Sequence, residues 1–120
     1  MKITTIELPI YNLDIIVIIN DWQEANRKFK LQFREEDYEV CAWTIYDEPY
    51  IDNNEIFLLL RQPYLDNETI LHELIHVISG ICNRRGIVMD PTNDEPLAYL
   101  QGYIGNKILE FRDKQQTNEK

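Results

Sequence analysis

The stretch His72-Glu73-Leu74-Ile75-His76 constrains this chain more than any other, because it fits the pattern H-E-x-x-H. Residues four apart on an α-helix lie one above the other on the same face. Both imidazoles can then grip one small ion, with the carboxylate of Glu73 beside it. Zinc held by three protein ligands keeps a fourth position for water and lowers the pKa of that water to about 7. Glu73 is placed to take the proton as general base. The chain has 2 histidines, and both are in the motif. Scattered at random, two histidines with Glu at its frequency here would fall into this arrangement on the order of once in 500 trials.

The helical face supports the same reading. At about 100° per residue, Ile70, Leu71, Leu74, Val77, Ile78 and Ile81 share one broad side. His72 and His76 fall opposite, flanked by Thr69, Ser79, Gly80 and Asn83. Two solvated surface histidines without a metal would leave the spacing and the intervening Glu unexplained. The helix is expected to turn its apolar side to the core and its histidine side to a cleft or solvent.

A chain of 120 residues makes one domain with a single modest core. The net charge of −9 argues against a nucleic-acid backbone or an anionic membrane as partner. Cys41 and Cys82 show neither ligand spacing nor a disulfide framework, so buried thiols in a reducing cytoplasm are expected. No signal segment opens the chain, and the apolar run 15–19 is too short to span a bilayer. A soluble, cytoplasmic protein is the expectation.

Along the chain, Ile6, Leu8 and Ile10 alternate with Glu7, Pro9 and Tyr11 as in a half-buried strand, with Pro9 at an edge or at the strand's end. Asn12-Leu13-Asp14 reads as a turn, and 14–19 as a second, β-branched strand completing a hairpin. Asn20 or Asp21 is expected to cap a first helix carrying Trp22, Ala25 and Phe29, with Asp21 and Glu24 spaced as a capping box. Residues 34–39 read as a solvated acidic loop and 40–46 as a strand with Cys41, Trp43 and Ile45 on one side. The turns Asp47-Glu48-Pro49 and Asp52-Asn53-Asn54 do not fit the spacing of a calcium loop. Another strand covers 55–61. Asp66 or Asn67 then caps the motif helix, which Gly86 stops. A last helix begins near Asp94-Glu95-Pro96, with the apolar stripe Leu97, Leu100, Ile104, Ile108 and Phe111. The domain is expected to span 1–111, with 112–120 a frayed tail.

A catalytic zinc needs a third protein ligand. Cys82 stands where the long H-E-x-x-H-x-x-G-x-x-H pattern carries histidine, but Ser79 replaces the glycine that would turn the chain, so Cys82 points away from the histidine face. Glu95 is the better candidate, 19 residues after His76, with Asp94 its nearest competitor. On the last helix Glu95 shares a side with Ala98, Gly102 and Gly105, small residues that let two helices approach closely. Pro96 disfavours helical geometry at Glu95, so this carboxylate falls at the helix start.

The segment His72 to His76, taken with Asp94-Glu95-Pro96-Leu97-Ala98-Tyr99-Leu100-Gln101-Gly102-Tyr103, resembles the gluzincin-type zincin metallopeptidases. More narrowly, it resembles the small single-domain zincin-like proteins of phages and bacterial mobile elements, over about 66–108. The resemblance implies a Zn2+ site of His72, His76 and Glu95, with Glu73 as base, on a minimal zincin fold. It also implies that the strand 55–61 lines the cleft and pairs with extended substrate. The fold class expected is α+β, a small, mostly antiparallel sheet of about four strands packed with three helices, the motif on the second.

Hydrolysis also needs a group to stabilise the developing oxyanion. Tyr99 and Tyr103 follow Glu95 by one and two helical turns and are the first candidates; Arg61 and Tyr64 are weaker ones. Two functions fit these residues. One is a zinc peptidase acting on a peptide or protein substrate. The other is a zincin-like binding or regulatory protein, with or without structural zinc, in favour of which stands the little room left for a second subdomain.

Overall fold

The computed structural model describes residues 2–118. Its elements follow in the order β1 (Lys2–Leu8), β2 (Leu13–Ile19), α1 (Trp22–Phe29), β3 (Ala42–Ile45), β4 (Glu55–Leu60), α2 (Asn67–Arg85) and α3 (Glu95–Asn118). The strands form one sheet in the order β1-β2-β4-β3. β1 and β3 pair antiparallel with their neighbours, while β2 and β4 run parallel, Asp14 against Glu55 through Ile19 against Leu60. The expected α+β architecture of three helices on a four-stranded, mostly antiparallel sheet is the one observed.

Composition of the two inner strands explains the layering. β2 and β4 are nearly continuous apolar runs, which are stable only when both faces of the sheet are covered. On one face Ile15, Val17, Ile19, Ile56, Leu58 and Leu60 pack against α2 and α3. On the other, Ile16, Ile18, Phe57 and Leu59 meet Trp22 and Ala25 of α1, together with Leu31 and Ile51. A parallel pair needs a crossover. Here the chain leaves β2 through α1, lays β3 at the far edge, and returns as β4 into the gap.

Local departures from expectation have local causes. β1 ends at Leu8, because Pro9–Tyr11 forms a 3-10 turn closed by Asn12 in the left-handed region at φ 52°. Asp21 stands at the N-cap of α1, but at φ 52° and with no capping bond from its side chain. The expected capping box is therefore absent, since a capping side chain needs extended backbone at that position. Asn20 Oδ1 accepts instead from the Gln62 N–H at 2.9 Å. The acidic connector holds a 3-10 turn, Glu35–Glu39, steadied by the Arg34 N–H on Asp37 Oδ2 at 2.8 Å.

α2 matches its sequence signals closely. Asp66 accepts from the Thr69 N–H at 3.1 Å, and Gly86 closes the helix at φ 65°. Ile70, Leu74, Val77, Ile78 and Ile81 are buried, whereas Leu71 is half exposed at 53%. Fully burying such a side chain contributes about 1.5–3 kcal/mol, so these five fix the helix and the histidines ride on it. α3 runs on to Asn118, past the expected end of order near Phe111. Arg112 ties that stretch down by donating from Nη1 to the Leu65 carbonyl at 2.7 Å. Residues 119–120 of the expected tail lie outside the described residues. Among the described residues, no helix is long and apolar enough to cross a membrane.

Candidate metal centre

The apolar anchoring of α2 leaves His72 and His76 exposed, with ring centroids 5.2 Å apart and planes inclined by 65°. One potential ligand atom from each of His72, Glu73 and His76 lies within 4.8 Å of the others. Donors around a tetrahedral zinc, each at about 2.0–2.1 Å, stand roughly 3.4 Å apart. Both imidazoles are exposed, so the two histidines could close around a small divalent ion with Glu73 beside it.

Glu73 differs from both histidines in being buried, at 7% exposure. β3 packs along that flank of α2, and the Thr44 hydroxyl donates to Glu73 Oε1 at 2.7 Å. A buried carboxylate oxygen without such a donor would be costly. The other oxygen, Oε2, stands 3.8 Å from His72 Nε2. Close approach of the strand depends on Gly80, where an added Cβ would lie 2.8 Å from Tyr46 Cγ. Gly80 therefore serves the close contact with Tyr46, the residue that follows β3. The role of Thr44 has a faint sequence signal. Trp43 and Ile45 pack on the α1 face, so alternation turns Thr44 to the α2 face.

The structure does not bring Glu95, Tyr99 and Tyr103 to this cluster. α2 and α3 run antiparallel, with Gly105 against Leu74 and Arg112 against Leu65. Glu95 is the exposed first residue of α3. Ten residues before Gly105, it sits about 15 Å further along the axis, towards the C-terminal end of α2. α3 also flanks α2 on the Leu74 side, whereas Glu73 faces β3. Tyr99 and Tyr103, 77% and 49% exposed, lie on the side of α3 turned from Leu74; Tyr103 lines a groove with Thr4 and Thr5 of β1. Arg61 belongs to the α1 face, over the Trp22 ring at 5.0 Å and donating to the Tyr38 carbonyl. Tyr64 is exposed, and Asp94 is exposed and outside the donor cluster.

Cys82 is half-buried against the α2–α3 core, and burial raises its pKa. Cys41 is exposed, contrary to the expectation of a buried thiol, because it sits in a bend before β3. The implied pairing of substrate with the strand 55–61 is also overturned. Both sides of β4 are occupied, by β2 and by β3. The free edge next to the histidines belongs to β3.

No family model matches the chain, and no curated protein or solved structure matches it either. Fold and site together define an α+β domain whose second helix presents an H-E-x-x-H cluster beside a sheet edge.

Proposed function

We propose that the domain is a zinc-dependent peptidase, with His72 and His76 holding the metal and Glu73 as general base. One observation carries this reading: Glu73 is buried, gripped on one oxygen by Thr44, and directed by the other toward His72. A site that only stored an ion would have no use for an acid so positioned. Zinc held there would supply Lewis acidity at the scissile carbonyl. Glu73 would take a proton from the attacking water and return it to the amine as the C–N bond breaks. Thr44 would keep the carboxylate aimed during both transfers. The free edge of β3 offers backbone groups to an extended peptide, which would lay its scissile bond near the histidines.

A second reading, a zincin-like binding protein without hydrolysis, is favoured by the 69% exposure of the His72 side chain, which leaves the site open to solvent. Zinc stoichiometry and peptide cleavage in the full chain separate the two. Wild-type protein should bind one zinc and cleave an unstructured peptide library; His72→Ala and His76→Ala should lose both. Glu73→Gln should keep the metal and lose about 100- to 10,000-fold in rate. Equal biological activity of wild type and Glu73→Gln would overturn the peptidase reading.

A further inference from the structure

His72 and Glu73 line an acidic hollow of about 480 Å3. Asp66 and Glu68 line it with them, and among the described residues no lysine or arginine does. Arg112 interacts with the Asp66 charge without lining the hollow. Two elements build the depression: the cap and first turns of α2 bring the exposed carboxylates, and Ala42 brings the start of β3. A peptide lying on the free edge of β3 would pass Glu73 at the level of Thr44 and the hollow at the level of Ala42.

Three carboxylates beside one another could serve a second metal ion or a cationic side chain. Spacing decides between them. Among the described residues, the ligand atoms that converge closely enough to hold an ion are those of His72, Glu73 and His76, and neither Asp66 nor Glu68 joins them. Acids spread around a hollow suit a long, flexible cation, whose apolar stem lies along the wall while its charged head meets the carboxylates. Asp66 keeps its charge while it caps α2, because the Thr69 N–H and hydroxyl donate to it at 3.1 and 2.9 Å and favour the ionised form. The net charge of −9 favours the approach of a basic peptide as well.

We infer that this hollow takes a lysine or arginine side chain of the peptide laid on β3, with Glu68 and Asp66 selecting it beside the bond to be cut. Such a pocket rests on the peptidase reading, which places the peptide along β3. Selection here is binding alone, and no proton or bond changes hands at either carboxylate.

A mixed peptide library cut by the zinc-loaded full-length chain, with products identified by mass spectrometry, tests this. Lys and Arg should be enriched at one position beside the cut. At that position lysine should be preferred over acetyl-lysine, which is as long but uncharged, by about 3- to 10-fold in kcat/KM. Added salt should shrink the ratio, because exposed charges are screened. Glu68→Gln should lower it, and Glu68→Lys should bring it below one, with circular dichroism and zinc content confirming that each variant is folded and loaded. The same order of preference should appear in binding of these peptides to the loaded Glu73→Gln chain, read by fluorescence anisotropy. Cleavage without enrichment of basic residues, or a lysine ratio as high in Glu68→Lys as in wild type, would overturn the pocket and leave the peptidase standing. Lysine-selective binding with no cleavage by wild type would overturn the peptidase reading alone. Neither cleavage nor selective binding would bring down both.

Discussion

Thr44 Oγ1 lies 2.7 Å from Glu73 Oε1, so the sheet's edge strand holds one oxygen of the buried acid and leaves the other 3.8 Å from His72 Nε2. The contact joins residues 29 apart in sequence and sets the acid's rotamer from outside its own helix.

Thr44→Val keeps the side-chain shape and removes the donor. A buried carboxylate oxygen left without its partner costs about 1–3 kcal/mol. Urea unfolding should show a loss of that order, most of it recovered in Thr44→Ser. Under the proposed peptidase reading, zinc affinity should fall less than peptide hydrolysis, because the Thr44 hydroxyl bonds to Glu73 and not to the histidines. Unchanged stability in Thr44→Val would mean that the hydroxyl does not hold the acid in solution.

Gly80→Ala should be destabilising although alanine is the better helix former. Relief of glycine's helix penalty is worth about 1 kcal/mol. Against it, the new methyl would sit 2.8 Å from Tyr46 Cγ and 2.9 Å from Tyr46 Cβ, atoms too near the backbone to swing away. Overpacking of this kind costs about 1–3 kcal/mol, so the clash wins. Tyr46→Ala should make Gly80→Ala less harmful, and a double-mutant cycle by urea unfolding reads that coupling.

How much of this was legible in the sequence depends on whether the determining contacts are local. α2 could be read almost to the residue because the Asp66 cap, the apolar period and the Gly86 stop coincide. β2 and β4 announce themselves as apolar runs, but nothing within either run says that they lie side by side and parallel; that follows from where the α1 crossover leaves β3. The capping box at Asp21 failed because the side chains satisfy the pattern while the backbone at φ 52° does not. The spacing from His76 to Glu95 is easily seen. Its meaning depends on where α3 starts and on which flank of α2 it packs, and neither is written locally. Thr44 was missed for the same reason: its partner lies on another element.

The two glycines of α3 should separate in their response to alanine. A Cβ at Gly102 would have nothing within 4 Å, so Gly102→Ala should gain about 0.5–1 kcal/mol from reduced backbone entropy alone. At Gly105 the Cβ would stand 3.0 Å from Leu74 Cδ2, which must give way, and the gain should be smaller or absent. Paired urea midpoints of the two variants check the difference. Equal gains would mean that Leu74 moves freely and that Gly105 is not what brings the two helices together.

Acid should loosen the motif helix from its N-terminal end. The Thr69 N–H and hydroxyl both donate to Asp66, and they hold its carboxyl below the usual carboxylate range. A folded-state pKa below the unfolded one contributes stability that is fully present above the unfolded pKa and is lost as pH falls through the folded value. Asp66→Asn keeps an acceptor at the cap but cannot titrate. Wild type should therefore be the more stable protein near neutrality, and its advantage should shrink below about pH 5. Metal-free protein is the right sample, because any bound ion would add its own pH dependence. Urea midpoints across that range, with amide exchange at Thr69 as the local reporter, measure both parts. A constant difference between the two proteins down to acid pH would show that the charge on Asp66, as distinct from its capping bond, does not help hold the helix that carries the histidines.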